Sequence, residues 1–256
     1  NQAPPSRSEI PELRLDTESL SKTEVDYPAI RAAHAASSLV NFDEAAAWAN
    51  RVPAPGDSGS HGLKTALQPR RDNELPRESI DRVIVRRGST RVFDAEKSIS
   101  FEALSTSLDR ATRGVAADFL EPPGATLIDL YLIINAVDGL TPGAYYYRRA
   151  EQSLELLREG NFRATAGRLG LGQDLPAAAA VNIYSLIDLR NVLERLGNRG
   201  SLAAELLSSN PRRLRSALHP CCPRHLPSDL RFFVFPGSSL WDCQDGTLFF
   251  AVLCHT

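Results

Sequence analysis

The chain has 256 residues, of which 43% are hydrophobic and 23% charged, and its net charge is −2 at pH 7. These proportions are typical of an ordinary globular protein that can bury a substantial core in one or two domains. The near-neutral charge argues against a general attraction to nucleic acid, and no apolar run approaches the ~20 residues that span a bilayer. Because the start carries no signal-peptide pattern, we expect a cytoplasmic protein with neither nucleic acid nor membrane as partner.

The cysteines also favour the cytoplasm, which is a reducing compartment. All four lie in the last 36 residues: Cys221, Cys222, Cys243 and Cys254. An adjacent pair in a chain without an export signal favours reduced thiols. His219 and His225 flank that pair, but adjacent cysteines lack the C-x₂-C spacing of a zinc site, so we expect no bound metal.

The first 76 residues are expected to lie outside the main domain. Residues 1–26 are rich in Pro, Ser and acidic residues, as in a tail. Helical spacing then predicts two helices within 27–40 and 42–52, and His34 on the first is interpreted as structural. The polar, Pro- and Gly-rich stretch 53–76 indicates a linker. The chain starts at Asn1 and has no methionine, so we also expect a piece of a longer protein.

The pattern of predicted helices and strands in residues 77–256 indicates a mixed α+β domain. A helix over 77–87 is ended by Gly88, and a second helix begins at Ser100 as its N-cap and buries Leu104 and Leu108. The remaining predicted elements are a strand at 126–137, a hairpin at 143–157, a helix at 161–172, a strand at 177–189 and a helix at 190–197. Because strands and helices do not alternate regularly, this order favours α+β over a repeated β-α fold.

The segment RVIVRRGSTRVFD, residues 82–94, places four arginines within ten residues around Gly-Ser-Thr. One interpretation is a solvated helix end. The other is a phosphate grip, because guanidinium groups make two-point contacts with phosphate oxygens and a hydroxyl-bearing turn adds donors. On these residues alone both interpretations stay open.

The order of several segments resembles the flavin-dependent nitroreductase superfamily, and most of all its SagB-type (thiazole/oxazole-peptide) dehydrogenase branch. The segments are RRGSTRVFD, ISFEAL and PPGATLIDLYLIINAVDGLTPGAYYYRR, followed by SLELLREG. Within them, Gly139-Leu140, Pro142-Gly143, Tyr145 and Tyr147 match the family pattern GL-x-PG-x-Y-x-Y. The resemblance covers roughly residues 77–206.

This resemblance implies a nitroreductase-like FMN-binding fold, with a mixed sheet flanked by helices. It further implies flavin-mediated hydride transfer, with NADH or NADPH as a donor and a small molecule or peptide as substrate. The implied assembly is a homodimer, or a tandem pseudo-dimer with a second nitroreductase-like half. Residues matching the family's FMN phosphate and ribityl contacts are Arg87, Ser89 and Arg91, with Gly88 beside them and Pro123 and Gly124 in the loop against the flavin ring. Tyr145 and Tyr147 are interpreted as hairpin packing.

The chain departs from the family at two places. Azoline-oxidising relatives carry a Lys-Tyr pair before Gly-x-Arg-Gly, where this chain has Arg195 and Leu196 before residues 197–200. Arginine is a poor general base and leucine moves no proton, so azoline oxidation is not expected and the catalytic residue stays unknown. The alternative function is a degenerate, non-catalytic half that acts as a structural or peptide-binding partner.

The second departure is the divergent stretch 208–240, where Pro211, Pro220, Pro223 and Pro227 are incompatible with the long helix expected from the family. A shifted reading frame is one hypothesis, because Tyr-Leu-Ala-Ala-Tyr-Ala in GC-rich codons contains Pro-Arg-Arg-Leu-Arg, the sequence of 211–215, in another frame. The ending DGTLFFAVL again resembles the family's last strand.

Overall fold

The computed structural model describes residues 16, 18, 21–23, 25–49, 62–75, 79, 81–82, 85, 92–113, 126–200, 203, 234–235 and 246–253. Two helices come first, α1 (Pro28–Ser37) and α2 (Phe42–Ala49), as the helical spacing predicted. Pro28 opens α1 at a position where its missing N–H would have no intrahelical partner. No helix in these ranges is long and apolar enough to cross a membrane.

A seven-stranded sheet forms the centre of the fold. Its strands are β1 (Leu63–Ala66), β3 (Asp129–Ile134), β5 (Gly143–Arg148), β6 (Ser153–Glu159), β7 (Val181–Asp188), β8 (Val234–Phe235) and β9 (Gly246–Leu253). They lie in the order β1-β6-β5-β3-β7-β9-β8, with every neighbouring pair antiparallel. A parallel pair, β2 (Ile99–Ser100) and β4 (Val137–Asp138), stands apart from this sheet. The predicted α+β class and mixed strand pairing are confirmed.

Helix α3 (Phe101–Thr112) covers one side of the sheet, which we call the first face. Leu104 and Leu108 of α3 are fully buried against Leu132 and Leu154. Each such side chain contributes about 1.5–3 kcal/mol by leaving water. The hydroxyl of Ser100 accepts a hydrogen bond from the Ala103 N–H at 3.2 Å, which confirms the predicted N-cap.

Tyr145 and Tyr147 also lie on the first face, and both are buried. The Tyr145 hydroxyl donates to the Thr141 carbonyl oxygen at 2.6 Å. The hydroxyls of Tyr147 and Thr112 share a hydrogen bond of 2.9 Å. The interpretation of these two tyrosines as packing residues is confirmed.

The opposite side, the second face, is covered by α4 (Arg163–Leu169) and α5 (Asp174–Ala178). Ile133 of β3 is buried there, whereas Leu132 and Ile134 are buried on the first face. Successive side chains of a strand alternate between faces, so burial on both faces explains the continuous apolar run of β3.

Two elements differ from the sequence-based prediction. Residues 177–178 belong to α5 and not to a strand, because alanine favours helix and Pro176 is tolerated in a first helical turn. Strand β1 falls within the stretch interpreted as a linker and pairs with β6. Residues 70–75 then attach to α3: the Arg70 N–H donates to Thr106 Oγ1 at 2.9 Å, and Asp72 forms an ion pair with Arg110 at 2.6 Å. The domain division at residue 76 stays a prediction.

Strand β9 occupies the position of the predicted last strand and pairs with β7 over eight residues, from Val181 opposite Leu253 to Asp188 opposite Gly246. The helix predicted over 77–87 lies mostly outside the described residues. So does the divergent stretch 208–240, apart from β8.

Candidate functional site

All the predicted cofactor-binding residues lie outside the described residues: Arg87, Gly88, Ser89, Arg91, Pro123 and Gly124. What the structure fixes is where these two segments join the fold. The first joins it at Val92–Asp94, and the second at Thr126–Ile128. The surroundings of these two junctions define the candidate site.

The first junction is anchored by Phe93, which is buried on the second face. It belongs to the same apolar cluster as Ile133 of β3 and Tyr184 of β7. Its described neighbours Val92 and Asp94 are exposed, so within Val92–Asp94 only Phe93 enters the core. The sequence pair Phe-Asp after the arginine segment therefore has a structural role: it inserts one aromatic ring into the core.

Arg163 stabilises the turn that follows Phe93. Its guanidinium donates to the carbonyl oxygen of Ala95 at 2.8 Å and to that of Ala177 at 2.9 Å. The Asp94 carboxylate accepts from the Glu96 N–H at 3.0 Å within the same turn. Sequence reasoning missed Arg163, since a single arginine at the start of a short helix carries no signal of a distant carbonyl partner.

The second junction leads directly into β3. Thr126 Oγ1 accepts from the Ile128 N–H at 3.1 Å, and Ile128 is buried on the first face. The next residue, Asp129, begins β3 and accepts a hydrogen bond of 2.8 Å from the Tyr146 hydroxyl. Ile133, which shares a core cluster with Phe93, is four residues, or about 13 Å, along β3 from Asp129.

Three tyrosines lie abreast between the junctions. Tyr131 of β3 is directly opposite Tyr146 of β5 on one side and Tyr184 of β7 on the other. The rings of Tyr131 and Tyr146 are 5.0 Å apart between centroids and inclined by 51°. The Arg148 guanidinium lies 4.9 Å from the centroid of the Tyr146 ring. Sequence analysis missed this row, because residues from three strands become neighbours only through the register.

Two tyrosines of the row, Tyr131 and Tyr184, have raised pKa values. Burial raises the pKa of the Tyr184 phenol well above its usual range. Burial, and then the charge of Asp129, also raise the pKa of Tyr131. Both phenols therefore stay protonated at physiological pH, Tyr184 within the core and Tyr131 partly exposed.

Beside the row lies a buried ion pair. Arg148 Nε donates to Glu155 Oε2 at 2.6 Å, with side chains 9% and 2% exposed. The carboxylate also accepts from the Gly62 N–H at 2.8 Å, and its bond raises the pKa of Arg148. A buried charge without a partner is costly, so removing either side chain would leave the other one uncompensated. Across the described ranges, no cluster of three or more His, Cys, Asp and Glu could hold a metal.

The Gly-x-Arg-Gly segment, residues 197–200, has a structural role in this chain. Gly197, at φ +63°, ends helix α6 (Leu189–Leu196). A Cβ on Gly200 would lie 2.9 Å from the Val192 carbonyl oxygen, so this position needs glycine. Arg199 Nη1 donates to the Ser37 carbonyl oxygen at 2.9 Å, and the Trp48 indole N–H donates to the Leu196 carbonyl at 2.9 Å. The segment therefore holds α1 and α2 against the end of α6.

The two residues before this segment differ in environment. Leu196 is only 2% exposed, whereas Arg195 is exposed. Leu196 is therefore a core side chain, and Arg195 carries a guanidinium that stays protonated and is a poor general base.

Comparisons with solved structures identify similar folds. A candidate nitroreductase from Anabaena variabilis superimposes with a TM-score of 0.57 at 23% identity, over 76% of this chain and 42% of that one. A chain of the Escherichia coli microcin synthetase McbBCD complex, with truncated pro-MccB17 bound, superimposes with a TM-score of 0.52 at 14% identity. That match covers 92% of this chain and 85% of the other. The present chain thus spans less than half the length of the Anabaena protein, and at these identities the likeness shows the fold alone. No protein-family model matches the sequence, and neither does any curated protein.

Proposed function

We propose that this chain, which has the nitroreductase fold, is an FMN-dependent oxidoreductase of the SagB-type dehydrogenase branch. Its substrate is a small molecule or peptide, and NADH or NADPH is the electron donor. The observation that carries the proposal is the burial of Phe93 against Ile133 and Tyr184. It ties the end of the arginine segment to the second face of the sheet.

Chain connectivity supports the assignment of both segments to one site. Phe93 follows Arg91 by two residues, which span at most about 7 Å. Thr126 follows Gly124 by two residues and leads into the same strand, β3. Both segments therefore join the fold near β3, one through the core cluster of Ile133 and the other at the start of the strand.

The available groups fit the chemistry of FMN. In the proposal, Arg87 and Arg91 bind the phosphate in two-point contacts, and the Ser89 hydroxyl adds a donor near the ribityl chain. Gly88 and Gly124 let the backbone approach the cofactor closely, and Pro123 contacts its ring. Tyr131, whose phenol stays protonated, is a partly exposed aromatic side chain on β3 between the two junctions and suits an uncharged ring system. FMN, when bound, supplies the hydride chemistry, and the residues of the chain bind and orient it.

We further propose that the chain works in the cytoplasm as a homodimer or as one half of a tandem pseudo-dimer. In support, one similar structure is a chain of a multi-subunit complex, and the other belongs to a protein more than twice as long as the matched region. The McbBCD complex was solved with a truncated peptide precursor, pro-MccB17, bound, which favours a peptide as one candidate substrate.

A second candidate function is a non-catalytic half that serves as a structural or peptide-binding partner. The burial of Leu196 favours it, because the position that carries a catalytic tyrosine in azoline-oxidising relatives has become part of the core. The use of residues 197–200 to hold the N-terminal helices favours it as well. In this case the chain would fold and pair without binding FMN.

FMN titration of the purified chain, after its visible absorbance is recorded, separates the two candidates. For the enzyme we expect flavin binding that Arg87→Ala and Arg91→Ala each weaken by about tenfold or more, the effect of losing a charge-assisted hydrogen bond. Arg82→Ala is the matched control, since Arg82 is an exposed arginine of the same basic segment. A folded chain that never binds FMN would overturn the enzyme proposal and leave the non-catalytic partner.

A further inference from the structure

Arg163 connects parts of the fold that lie far apart in the sequence. Its Nη1 donates to the carbonyl oxygens of Ala177 at 2.9 Å and Ala179 at 3.4 Å, at the C-terminal end of α5. Its Nη2 donates to the carbonyl oxygen of Ala95 at 2.8 Å, in the turn that follows Phe93. Within the described part of the chain, the hydrogen-bond acceptors of this guanidinium are all backbone carbonyls, and its planar fork reaches both elements at once.

The position of Arg163 is itself fixed. It is the first residue of α4, and its backbone N–H donates to Asn161 Oδ1 at 3.0 Å. Three residues later, Ala166 is fully buried in the apolar cluster that also contains Phe93. Helix α4 is therefore tied to residues 93–95 in two ways, through the shared apolar cluster and through the hydrogen bond of Arg163.

These two ties together fix the direction of the backbone at Phe93. A buried ring alone leaves the backbone able to turn about the side-chain bonds of that residue. The second tie, at Ala95, removes this freedom because it holds the chain two residues further on. The turn itself is closed by a hydrogen bond of 3.3 Å from the Lys97 N–H to the Asp94 carbonyl oxygen. The end of the arginine segment therefore joins a part of the fold that is held at several points.

Arg91, a proposed phosphate ligand, precedes Phe93 by two residues, which span at most about 7 Å. A two-point contact with phosphate requires a correctly directed guanidinium, and neighbouring structure must supply that direction. We infer that Arg163 is a positioning residue for phosphate binding, which orients the backbone from which Arg91 extends. The inference rests on the proposed function for the identity of the ligand, FMN. It names a residue outside the arginine segment on which the affinity for the phosphate group depends.

Titrations with FMN and with riboflavin, which lacks the phosphate, distinguish this role from a general structural one. We expect Arg163→Ala to raise the Kd of FMN by about tenfold, the effect of losing a charged hydrogen-bond donor. The Kd of riboflavin should change by less than about twofold. Arg168→Ala is the matched control, since Arg168 is an exposed arginine of α4 that donates to Thr165 of the same helix. Equal weakening of both flavins would overturn the inference, as would FMN binding that Arg163→Ala leaves unchanged.

A double-mutant cycle tests whether Arg163 acts through Arg91. If it does, Arg163→Ala should raise the Kd of FMN by less than about twofold in a chain that already carries Arg91→Ala. The same fold-change in both backgrounds would contradict the positioning role. If Arg163→Ala does not fold, Arg163→Gln, which keeps an amide donor, replaces it in the titrations and in the cycle.

Hydrogen exchange without flavin separates a failure of this inference from a failure of the proposed function. Arg163→Ala should accelerate amide exchange in residues 92–98 by about tenfold relative to Arg168→Ala. Unchanged exchange in these residues would overturn the inference whatever the chain binds. A wild-type chain that binds no FMN, with faster exchange in Arg163→Ala, would overturn the proposed function and with it the phosphate role of Arg163.

Discussion

The guanidinium of Arg199 lies 2.9 Å from the carbonyl oxygen of Ser37, across 162 residues of sequence. The last four carbonyls of a helix have no intrahelical partner, and a cation there also complements the negative end of the helix dipole. The same guanidinium lies 5.3 Å from the centroid of the Trp48 ring. One side chain thus contacts both N-terminal helices.

We expect Arg199→Ala to loosen α1 and α2 without unfolding the sheet. Removing a charged hydrogen-bond donor costs about 1.5–3 kcal/mol, so amide hydrogen exchange in residues 28–49 should accelerate by about tenfold or more. Exchange in β3 and β7 should change little. Hydrogen-exchange mass spectrometry measures both, with Arg195→Ala as control because Arg195 is an exposed arginine of α6. Equal exchange in the two variants would contradict the role assigned to Arg199.

Phe93→Ala should destabilise the whole domain. Truncating a buried phenylalanine costs about 3–5 kcal/mol, a large share of the ~5–15 kcal/mol that a domain usually has. Val92→Ala is the matched control, since that side chain is 78% exposed and should change the free energy of unfolding by less than about 0.5 kcal/mol. Urea denaturation measures the difference. If Phe93→Ala does not fold, Phe93→Leu should show an intermediate loss, and two variants as stable as Val92→Ala would refute the anchor.

Gly62→Ala should displace the edge strand β1. A Cβ at this position would lie 2.2 Å from the Leu156 carbonyl oxygen, so the backbone must move and the Gly62 bond to Glu155 weakens. We expect a loss of about 1–3 kcal/mol in unfolding free energy and faster amide exchange in β1 and β6. Lys64→Ala on the same strand removes only the exposed pair with Glu151 and should cost less than about 1 kcal/mol. A Gly62→Ala variant that matches Lys64→Ala would show that β1 tolerates the added methyl group.

Asp72 should contribute to a dependence of stability on pH. The hydrogen bond from Arg113, and then the charge of Arg110, hold the pKa of this carboxyl below its ordinary value of 3.8. Because the folded chain binds this proton more weakly than the unfolded chain, the contribution is present above pH 3.8 and disappears as the pH falls through the folded pKa. Thermal unfolding of Asp72→Asn should therefore show a small decrease in Tm at pH 7 that becomes smaller as the pH falls below 3.8. A decrease of the same size at pH 7 and below pH 3.8 would exclude the ionised carboxylate as its source.

An element or contact could be predicted from the sequence when the residues that stabilise it lie close together in the chain. Helix α3 was predicted from Ser100 and the stripe through Leu104 and Leu108, which lie within one element. Strand β1 was missed because a short edge strand with little burial shows no alternation of apolar and polar residues. The role of Arg163 was missed for a related reason, because its carbonyl partners lie up to 68 residues away in the sequence.

The candidate site shows this limit most clearly. The family resemblance implied phosphate contacts for Arg87, Ser89 and Arg91, and these contacts stay a prediction. The tyrosine row could not be predicted from the sequence, because Tyr131, Tyr146 and Tyr184 become neighbours only through the strand register. The sequence thus indicated residues that could bind a phosphate, and the structure showed the row of tyrosines between the two junctions.

The pairing of β7 with β9 has a consequence for aggregation. Without β9, the apolar strand β7 would become an edge of the sheet, with eight residues of unpaired backbone able to template strand addition from other chains. A chain cut before Gly246 should therefore precipitate, whereas substitutions confined to 208–240 that preserve the last strand should not have this effect. If the reading frame did shift in the divergent stretch, its return before Gly246 protects the sheet from self-association.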